Sequence, residues 1–359
     1  TTTFTDGAER NRALGAWGAK GGLGGACGVL LGGVLTDALS WQWILFINVP
    51  IGLAAAVLAP RFVEEGRSAG RTRQFDFAGA LSVTLGLVTI VYAVVRTEVN
   101  GWGSAQTLAV LGAGVALIAL FLAIEGRFAA RPLMPLRIFR SRALSGANAV
   151  MFLLGAGMFG MWFFVSLYLQ RVLGYSPLKT GLAFLPMTLM IIAGSTAASR
   201  LTARVGVKPL LITGMTLQAA GLLLFTGVSA TGSYASDVLV PSLLVATGMG
   251  IAFVPVTIAA VAGVSAAESG LASGLVNTSR LMGGALGLAI LATIATERTA
   301  ALTRAGDGIH TALTAGFSRA FEIGAGFAVA GALVSLFVLQ MEGRQAREGV
   351  PATATEAAR

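Results

Sequence analysis

Long apolar runs recur along the whole of this chain and constrain its fold more than any other feature. Ten of them have about the 20 residues that a helix needs to cross the hydrocarbon core of a bilayer. They lie at approximately 13–35, 42–60, 76–96, 105–124, 143–169, 177–199, 208–229, 238–262, 269–294 and 317–340. Apolar and polar residues do not alternate with period two, which disfavours a transmembrane barrel, and only a helix otherwise pairs every backbone polar group in lipid. The sequence therefore predicts an all-α, polytopic transmembrane helical bundle with about ten spans.

The composition excludes several classes of protein. Only 11% of the 359 residues are charged and 55% are hydrophobic, whereas a soluble domain has about 25% charged residues. The single cysteine, Cys27, and the single histidine, His310, rule out a disulfide framework within the chain, a cysteine zinc site and a histidine metal cluster. The sequence contains no Walker-type phosphate loop, so we expect no ATP hydrolysis. We also expect no metal and no cofactor.

The positive charge reports membrane topology. The net charge is +9, which in a soluble protein would suggest a nucleic-acid partner. Here the cations lie in short loops between the apolar runs, and one alternate set of loops holds 17 of the 25 Lys and Arg residues, whereas the other holds 6. Because cytoplasmic loops carry the excess of Lys and Arg, we expect both termini to be cytoplasmic and no nucleic-acid partner.

The beginning of the chain is typical of an internal loop. It opens with TTTFTDGAERNRALG, which is polar, lacks an initiator Met and shows no signal peptide. We therefore expect the sequence to be a fragment of a longer protein.

Glycines line one face of the first span. Gly24, Gly28 and Gly32 are spaced by four residues, so they leave a bare surface that lets a neighbouring helix approach closely. This surface indicates either tight packing alone or an interface between two halves of a transporter that separate and re-form. Lys20 lies about seven residues inside the same span, where its long side chain can snorkel to the cytoplasmic surface.

Aromatic and polar residues mark the next turn. Asp37, Trp41 and Trp43 are expected at the non-cytoplasmic surface, where indoles anchor helices. Asn48 and Pro50 interrupt the second span, because proline removes a backbone donor.

The glycine run leading into LTD, followed by W-x-W and INVPIG, resembles the fourteen-span drug:proton antiporter branch of the major facilitator superfamily. That branch has the antiporter motif G-x-x-x-G-P-x-x-G-G in its fifth helix. The matching glycines are Gly24, Gly28, Gly32 and Gly33. Val29 stands where the motif has proline, and Gln42 stands between the tryptophans, where the family usually has arginine.

Later blocks extend the resemblance over residues 6–340. The segments 132–142, 168–186 and 268–287 resemble the entry to core helix seven, the link from helix seven to helix eight, and the start of helix eleven. SRLTARVGVKP at 199–209 resembles the second copy of the cytoplasmic superfamily motif. Arg204, Gly206 and Lys208 occupy its basic and glycine positions.

The resemblance implies a fold and a function. It implies fourteen helices, of which four precede this chain. In the family, those four helices carry the residues of the first half that couple proton and substrate movement. It assigns 13–60 to the last two helices of the N-terminal half, 76–124 to an extra central pair, 143–340 to a C-terminal six-helix bundle and 341–359 to a cytoplasmic tail. It implies a monomeric, multi-pass protein of the inner (plasma) membrane that exports hydrophobic or cationic drugs by alternating access, driven by protons. We expect the fragment alone to be inactive.

A polar face is predicted on the helix that begins near residue 269. Arg280 lies about ten residues, or roughly 15 Å, into this span, and a charge at that depth costs about 2.5–3.5 kcal/mol on insertion scales. Helical spacing places Ser273, Asn277, Gly284 and Gly287 on the same face as Arg280. Arg280 either helps to set the alternating-access equilibrium or receives an anion or a proton-coupled partner. The alternative is a structural role, in which it pairs with helix carbonyls or a loop acid.

The span at 143–169 is rich in methionine and aromatic residues. Met151, Met158 and Trp162 share a face that suits loose recognition of apolar or cationic compounds. Such a stripe is more often explained by helix packing or lipid contact than by a pocket. Asn148, Gln170 and Gln218 are weaker pocket candidates, and His310 with the 295–316 loop is expected to be a solvated external segment.

Two other functions fit less well. An uptake or metabolite transporter of the same superfamily is possible, although the W-x-W and INVPIG block argues against it. A polytopic membrane enzyme needs clustered His, Asp, Glu or Cys, and the acids here are scattered singly except for Glu64 and Glu65.

Overall fold

The computed structural model describes residues 24–25, 27–28, 30–62, 76–128, 133–262, 264–265 and 268–339. Within these ranges the regular structure is entirely helical, and nine helices are long and apolar enough to cross a membrane. The all-α fold and the polytopic architecture are thereby confirmed. Much of the first expected span, 13–35, lies outside the described residues, and its described part continues as helix α1 over 30–38.

The remaining helices follow in chain order. They are α2 Trp43–Phe46, α3 Asn48–Phe62, α4 Phe77–Val95, α5 Thr97–Asn100, α6 Ala105–Ala123, α7 Arg142–Leu167, α8 Pro177–Ala183, α9 Leu185–Val205, α10 Val207–Leu224, α11 Val240–Val261, α12 Ser269–Arg304 and α13 Ile309–Phe337. Short π-helical turns extend α6 and α7 and precede α11.

Helices α7 and α9–α13 form the C-terminal bundle. Helix α7 contacts α11, α12 and α13, while α10 packs between α11 and α13, and α9 packs on α11. Large side chains such as Leu154, Phe164 and Phe321 are almost fully buried in its core. Small residues bring the backbones together, since a Cβ on Gly214 would lie 2.7 Å from the carbonyl oxygen of Gly248. This is the small-residue packing that replaces the hydrophobic effect between helices in lipid.

Helices α4 and α6 form a hairpin beside the bundle. Gly86 faces Ile118 and Gly114 faces Ile90, so each helix presents a glycine to an isoleucine of the other. Asp76 and Ser104 cap the two helices, and α4 packs against α12. The hairpin therefore has its own interface and a second one with the bundle.

Helices α2 and α3 have no buried residues. The helical path breaks at Ile47, between the two helices, where Pro50 has no N–H to donate to the preceding turn. The Nδ2 of Asn48 donates to the carbonyl oxygen of Ile44 at 2.9 Å. The Asn48 side chain thus satisfies a backbone acceptor at the interruption.

The expected external loop at 295–316 is wrong. Helix α12 continues to Arg304 and α13 begins at Ile309, so most of this segment is helical, with His310 exposed in the first turn of α13. The 36 residues of α12 span about 54 Å, against about 30 Å of hydrocarbon. Hydropathy reports where a helix leaves the lipid, whereas the helix itself ends at Arg304, two residues before Gly306, whose φ of +97° favours glycine.

The helix boundaries also differ from the predicted ones in two other places. The span 177–199 is divided at Phe184 into α8 and α9, with Pro186 in the first turn of α9. The 199–209 segment is not a loop, because α9 runs to Val205 and α10 starts at Val207. Gly206 alone joins the two helices at a φ of +88°, a conformation that glycine adopts without strain.

Candidate functional site

The crossing of α7 and α12 positions the intramembrane arginine. A Cβ at Gly155 would overlap the carbonyl oxygen of Arg280, and one at Gly283 would overlap the carbonyl of Phe152. The two backbones are therefore in direct contact, which fixes the Arg280 Cα against α7.

Arg280 itself is half-buried, and its Nη2 donates to the Oδ1 of Asn277 at 2.9 Å. The described part of the chain contains two ion pairs, Arg137–Glu268 and Arg319–Glu322, and Arg280 is in neither. Among the described residues, the one side-chain acceptor hydrogen-bonded to this arginine is therefore the Asn277 amide oxygen.

The expected polar face divides in two. Gly284 and Gly287 are buried against Phe159 and Ala156 of α7, whereas Ser273 and Asn277 are exposed. The glycine part of the face packs the bundle, and the polar part with Arg280 stays open.

A polar pair lies next to the arginine. The Ser279 hydroxyl donates to the Oδ1 of Asn148 at 2.8 Å, and the Nδ2 of Asn148 donates to the carbonyl oxygen of Leu144 at 2.9 Å. Asn148 therefore joins α7 to α12 rather than lining an open pocket.

The predicted pocket residues Met151 and Met158 do not line an open pocket. Met151 and Met158 are only 3% and 8% exposed and belong to the bundle core. Trp162 is half-buried and stacks on Phe184, with ring centroids 5.1 Å apart. Apolar periodicity is the same for a core-facing and a cavity-facing helix, so the sequence pattern could not distinguish them.

The glutamine candidates differ from each other. Gln170 is exposed and donates to Ser166. Gln218 is fully buried, its Nε2 lies 3.4 Å from the carbonyl oxygen of Leu154, and its Oε1 has no partner in the described part of the chain. Gln218 therefore faces α7 inside the bundle.

The antiporter-motif glycines have different surroundings. No described atom lies within 4 Å of a Cβ built on Gly24, Gly28 or Gly32. A Cβ on Gly33 would lie 3.0 Å from the Cα of Leu178, and the carboxylate of Asp37 accepts from the Leu178 N–H at 3.2 Å. Lys20 and Val29 lie outside the described residues.

The turn after α1 and the cytoplasmic motif are mostly exposed. Trp41 is 63% and Trp43 is 46% exposed. Arg204 is exposed at the end of α9 and Lys208 is half-buried at the start of α10, on either side of Gly206. Neither cation is in an ion pair of the described residues.

Sequence reasoning missed a carboxylate clamp at the other end of the bundle. One carboxylate oxygen of Asp237 accepts from the Tyr168 hydroxyl and from the Ser229 N–H, both at 3.0 Å. The other oxygen accepts from Ser236. Asp237 thereby ties the end of α7 to the segment before α11. An isolated aspartate among serines between two apolar runs was the available signal.

A second acid joins the start of α12 to the segment before α7. Glu268 accepts from the Arg137 guanidinium and from the Ser265 hydroxyl, each at 2.8 Å. The Ser265 hydroxyl and the Arg137 charge hold the pKa of Glu268 below its ordinary value.

Comparison with known proteins matches residues 1–288 to the Major Facilitator Superfamily. The cephamycin export protein CmcT of Amycolatopsis lactamdurans is 38% identical over 82% of this chain and 61% of its own length. The puromycin resistance protein pur8 of Streptomyces alboniger is 38% identical over 84% of this chain and 60% of its own. The multidrug resistance protein Stp of Mycobacterium tuberculosis is 31% identical over 82% of this chain and 54% of its own length. The chain thus spans little more than half the length of these curated relatives.

Proposed function

Because this chain belongs to the Major Facilitator Superfamily, we propose that it serves in a proton-coupled exporter of hydrophobic drugs or antibiotics that works by alternating access. The observation that carries the proposal is the likeness to relatives named for cephamycin export and puromycin resistance. The proposal includes a plasma-membrane location with both termini cytoplasmic, as the distribution of Lys and Arg predicts.

Arg280 is the residue that we assign to coupling. A positive charge at this depth is costly unless something neutralises it, and the described residues place only the Asn277 amide oxygen next to it. A carboxylate or anion that approaches Arg280 in one transport state and leaves it in the other would shift the equilibrium between those states, because differential interaction is what moves such an equilibrium. Trp162 is the remaining aromatic candidate for substrate contact, since Met151 and Met158 are in the core.

The test is transport by protein reconstituted in vesicles with an imposed pH gradient, using puromycin and a cephamycin as probes. The chain and the product of its gene with all upstream coding sequence are measured side by side. We expect gradient-driven transport that a protonophore abolishes, and we expect it only with the upstream sequence present. Transport that is unaffected by the protonophore would contradict proton coupling.

Arg280→Ala and Arg280→Lys test the coupling role in the transporting form. We expect Arg280→Ala to reduce gradient-driven transport by about tenfold or more, equivalent to about 1.4 kcal/mol, with Arg280→Lys retaining part of it because the charge is kept. Arg298→Ala is the matched control, since Arg298 is an exposed arginine further along the same helix. Equal transport by all variants at equal membrane abundance would remove Arg280 from the mechanism.

A further inference from the structure

A short helical turn in the connection from α6 to α7, called the surface turn below, has three distinct faces. It is a 3₁₀ helix that begins at Leu136 and ends at Arg140, and in such a helix side chains three positions apart lie on the same side. Ile138 is buried and belongs to the bundle core. Leu136 and Phe139 form a second face, Arg137 and Arg140 form a third, and all four residues are exposed. The surface turn therefore presents an apolar face and a basic face outward, next to each other.

Contacts with three different helices fix the surface turn on the protein. The carboxylate of Glu125, in the π-helical turn that extends α6, accepts from two backbone N–H groups just before the surface turn. The Ser145 hydroxyl, in α7, donates to the carbonyl oxygen of Phe139 at 2.7 Å. The guanidinium of Arg137 donates to Glu268, at the start of α12. Because these contacts are already made, a ligand that binds the surface turn does not have to order it first.

The apolar face of the surface turn continues the lipid-facing surface of α6. Leu122 is exposed near the end of this span, so in a membrane its neighbours are acyl chains. Gly126 lies one turn further along the same side of the helix, and a Cβ on it would lie 3.5 Å from the Cδ1 of Leu136. Leu136 and Phe139 are 36% and 38% exposed. The two side chains therefore extend a surface that already faces lipid.

The surface turn lies at the level where the spans on both sides of it end. The span that contains α6 has 23 residues and ends at Arg127; its length is about 34 Å, against about 30 Å of hydrocarbon. The next span begins at Arg142. Because Leu136 contacts the last turn of the first span at Gly126, the surface turn lies at the boundary between acyl chains and headgroups.

Cations are in excess among the described residues around the surface turn. Arg127, Arg140 and Arg142 are exposed, and none of them is in an ion pair with a described residue. The nearby acids are already engaged, Glu125 by backbone N–H groups and Glu268 by its own ion pair. A guanidinium matches a phosphate group in geometry and charge. The basic face is therefore complementary to an anion at the level of the headgroups.

We propose that the surface turn binds an anionic phospholipid, with Leu136 and Phe139 against its acyl chains and Arg140 at its phosphate. A soluble anion would leave the apolar face in water, and an apolar partner would leave the basic face without a counter-charge. A lipid with net negative charge is complementary to both faces at once. This assignment does not depend on which compound the protein exports, and its test needs no transport.

The experiment measures lipid contact at the surface turn by fluorescence quenching. Phe139→Cys, in a Cys27→Ser background, carries a nitrobenzoxadiazole fluorophore. The protein is reconstituted in phosphatidylcholine vesicles with an equal mole fraction of either phosphatidylglycerol or phosphatidylcholine that has a nitroxide on its acyl chain. We expect phosphatidylglycerol to be enriched about fivefold over phosphatidylcholine at this position, which corresponds to about 1 kcal/mol for one surface cation. The same fluorophore on Leu108→Cys, exposed at the opposite end of α6, should be quenched equally by the two lipids.

Arg140→Gln tests the contact with the headgroup. We expect it to lower the preference for phosphatidylglycerol about fivefold and to leave quenching by phosphatidylcholine unchanged, because the apolar face is kept. Arg298→Gln is the matched control, since Arg298 is an exposed arginine near the far end of α12, and it should retain the full preference. Retention of the full preference by Arg140→Gln would contradict the assignment.

Three other outcomes would overturn the proposal. One is a fluorophore at position 139 that neither lipid quenches, which would place the surface turn in water. Another is equal quenching by the two lipids at position 139, a comparison that does not need Arg140→Gln to fold. A third is loss of the preference when inorganic phosphate is added but not when chloride is added at the same ionic strength, which would identify a site for a free anion instead.

Discussion

Two helices of this chain carry faces of spaced glycines, and their surroundings are opposite. On α12, a Cβ at Gly283 would overlap the carbonyl of Phe152, and one at Gly287 would lie 2.5 Å from the Cα of Ala156. In the first span, no described atom beyond the local helix backbone lies within 4 Å of a Cβ at Gly28 or Gly32. The same sequence pattern therefore forms a packed crossing in one region and, in the other, a surface that the described residues leave mostly uncovered.

A glycine face specifies how closely another backbone can approach. It allows a backbone to approach, and it costs helix propensity of about 1 kcal/mol per glycine relative to alanine in water, but it does not name the partner. On α12 the partner is α7, and van der Waals contact between the backbones compensates for the missing side chains. On α1 the described part of the chain supplies a partner only at Gly33.

The largest expected effect is at Gly283. Gly283→Val would force α7 and α12 apart, because a backbone carbonyl occupies the space of the new side chain. Overpacking that shifts side chains and backbone costs typically about 1–3 kcal/mol and occasionally more, so we expect a destabilisation at the upper end of that range, about 3 kcal/mol. Thermal unfolding of the purified protein, followed by tryptophan fluorescence, measures it.

Gly28→Val is the control for Gly283→Val. It places the same side chain at a glycine that no described atom approaches, so we expect its unfolding temperature in this chain to match that of the parent. Equal losses of stability in the two variants would show that the first span is packed at Gly28 as tightly as α12 is at Gly283, which would contradict the contrast between the two helices.

The sequence predicted the helices better than their partners. Hydropathy located the spans because each one must bury about 20 apolar residues in lipid. It misplaced the end of α12 and the start of α13, because Glu297 and Arg298 end a membrane span without ending a helix. Helical spacing in the sequence predicted the pairing of Arg280 with Asn277, because the two residues are three positions apart on one helix. The sequence could not predict the contacts of Asp237 with Tyr168 or of Thr97 with Thr293, because each joins segments that only the tertiary fold brings together.

An intermediate effect is expected at Gly33, the one glycine of α1 for which the described residues supply a close neighbour, at the start of α8. A side chain there would press on the backbone of Pro177 and Leu178. We expect Gly33→Val to lower disulfide formation between cysteines at positions 37 and 178, in a Cys27→Ser background, by about five- to tenfold, which corresponds to 1–1.4 kcal/mol. Gly32→Val, at the adjacent residue with no described neighbour, should leave the yield unchanged. A loss of yield in both variants would mean that the contact of α1 with its neighbours extends to Gly32.

The smallest effect is expected where α12 begins, at the ion pair of Arg137 and Glu268. We expect Glu268→Gln to cost much less stability than Gly283→Val, because an ion pair with an exposed arginine gains little in water. An equal cost would mean that this ion pair, rather than the glycine packing, holds α12 in place. The pKa of Glu268 is lowered in the folded protein, so its contribution is complete above the ordinary glutamate pKa of about 4.3 and is lost as the pH falls through the lower folded value. The small difference in unfolding temperature between Glu268→Gln and the parent should therefore be present at neutral pH and vanish in acid. A difference that persists or grows in acid would show that the carboxylate acts by something other than its charge.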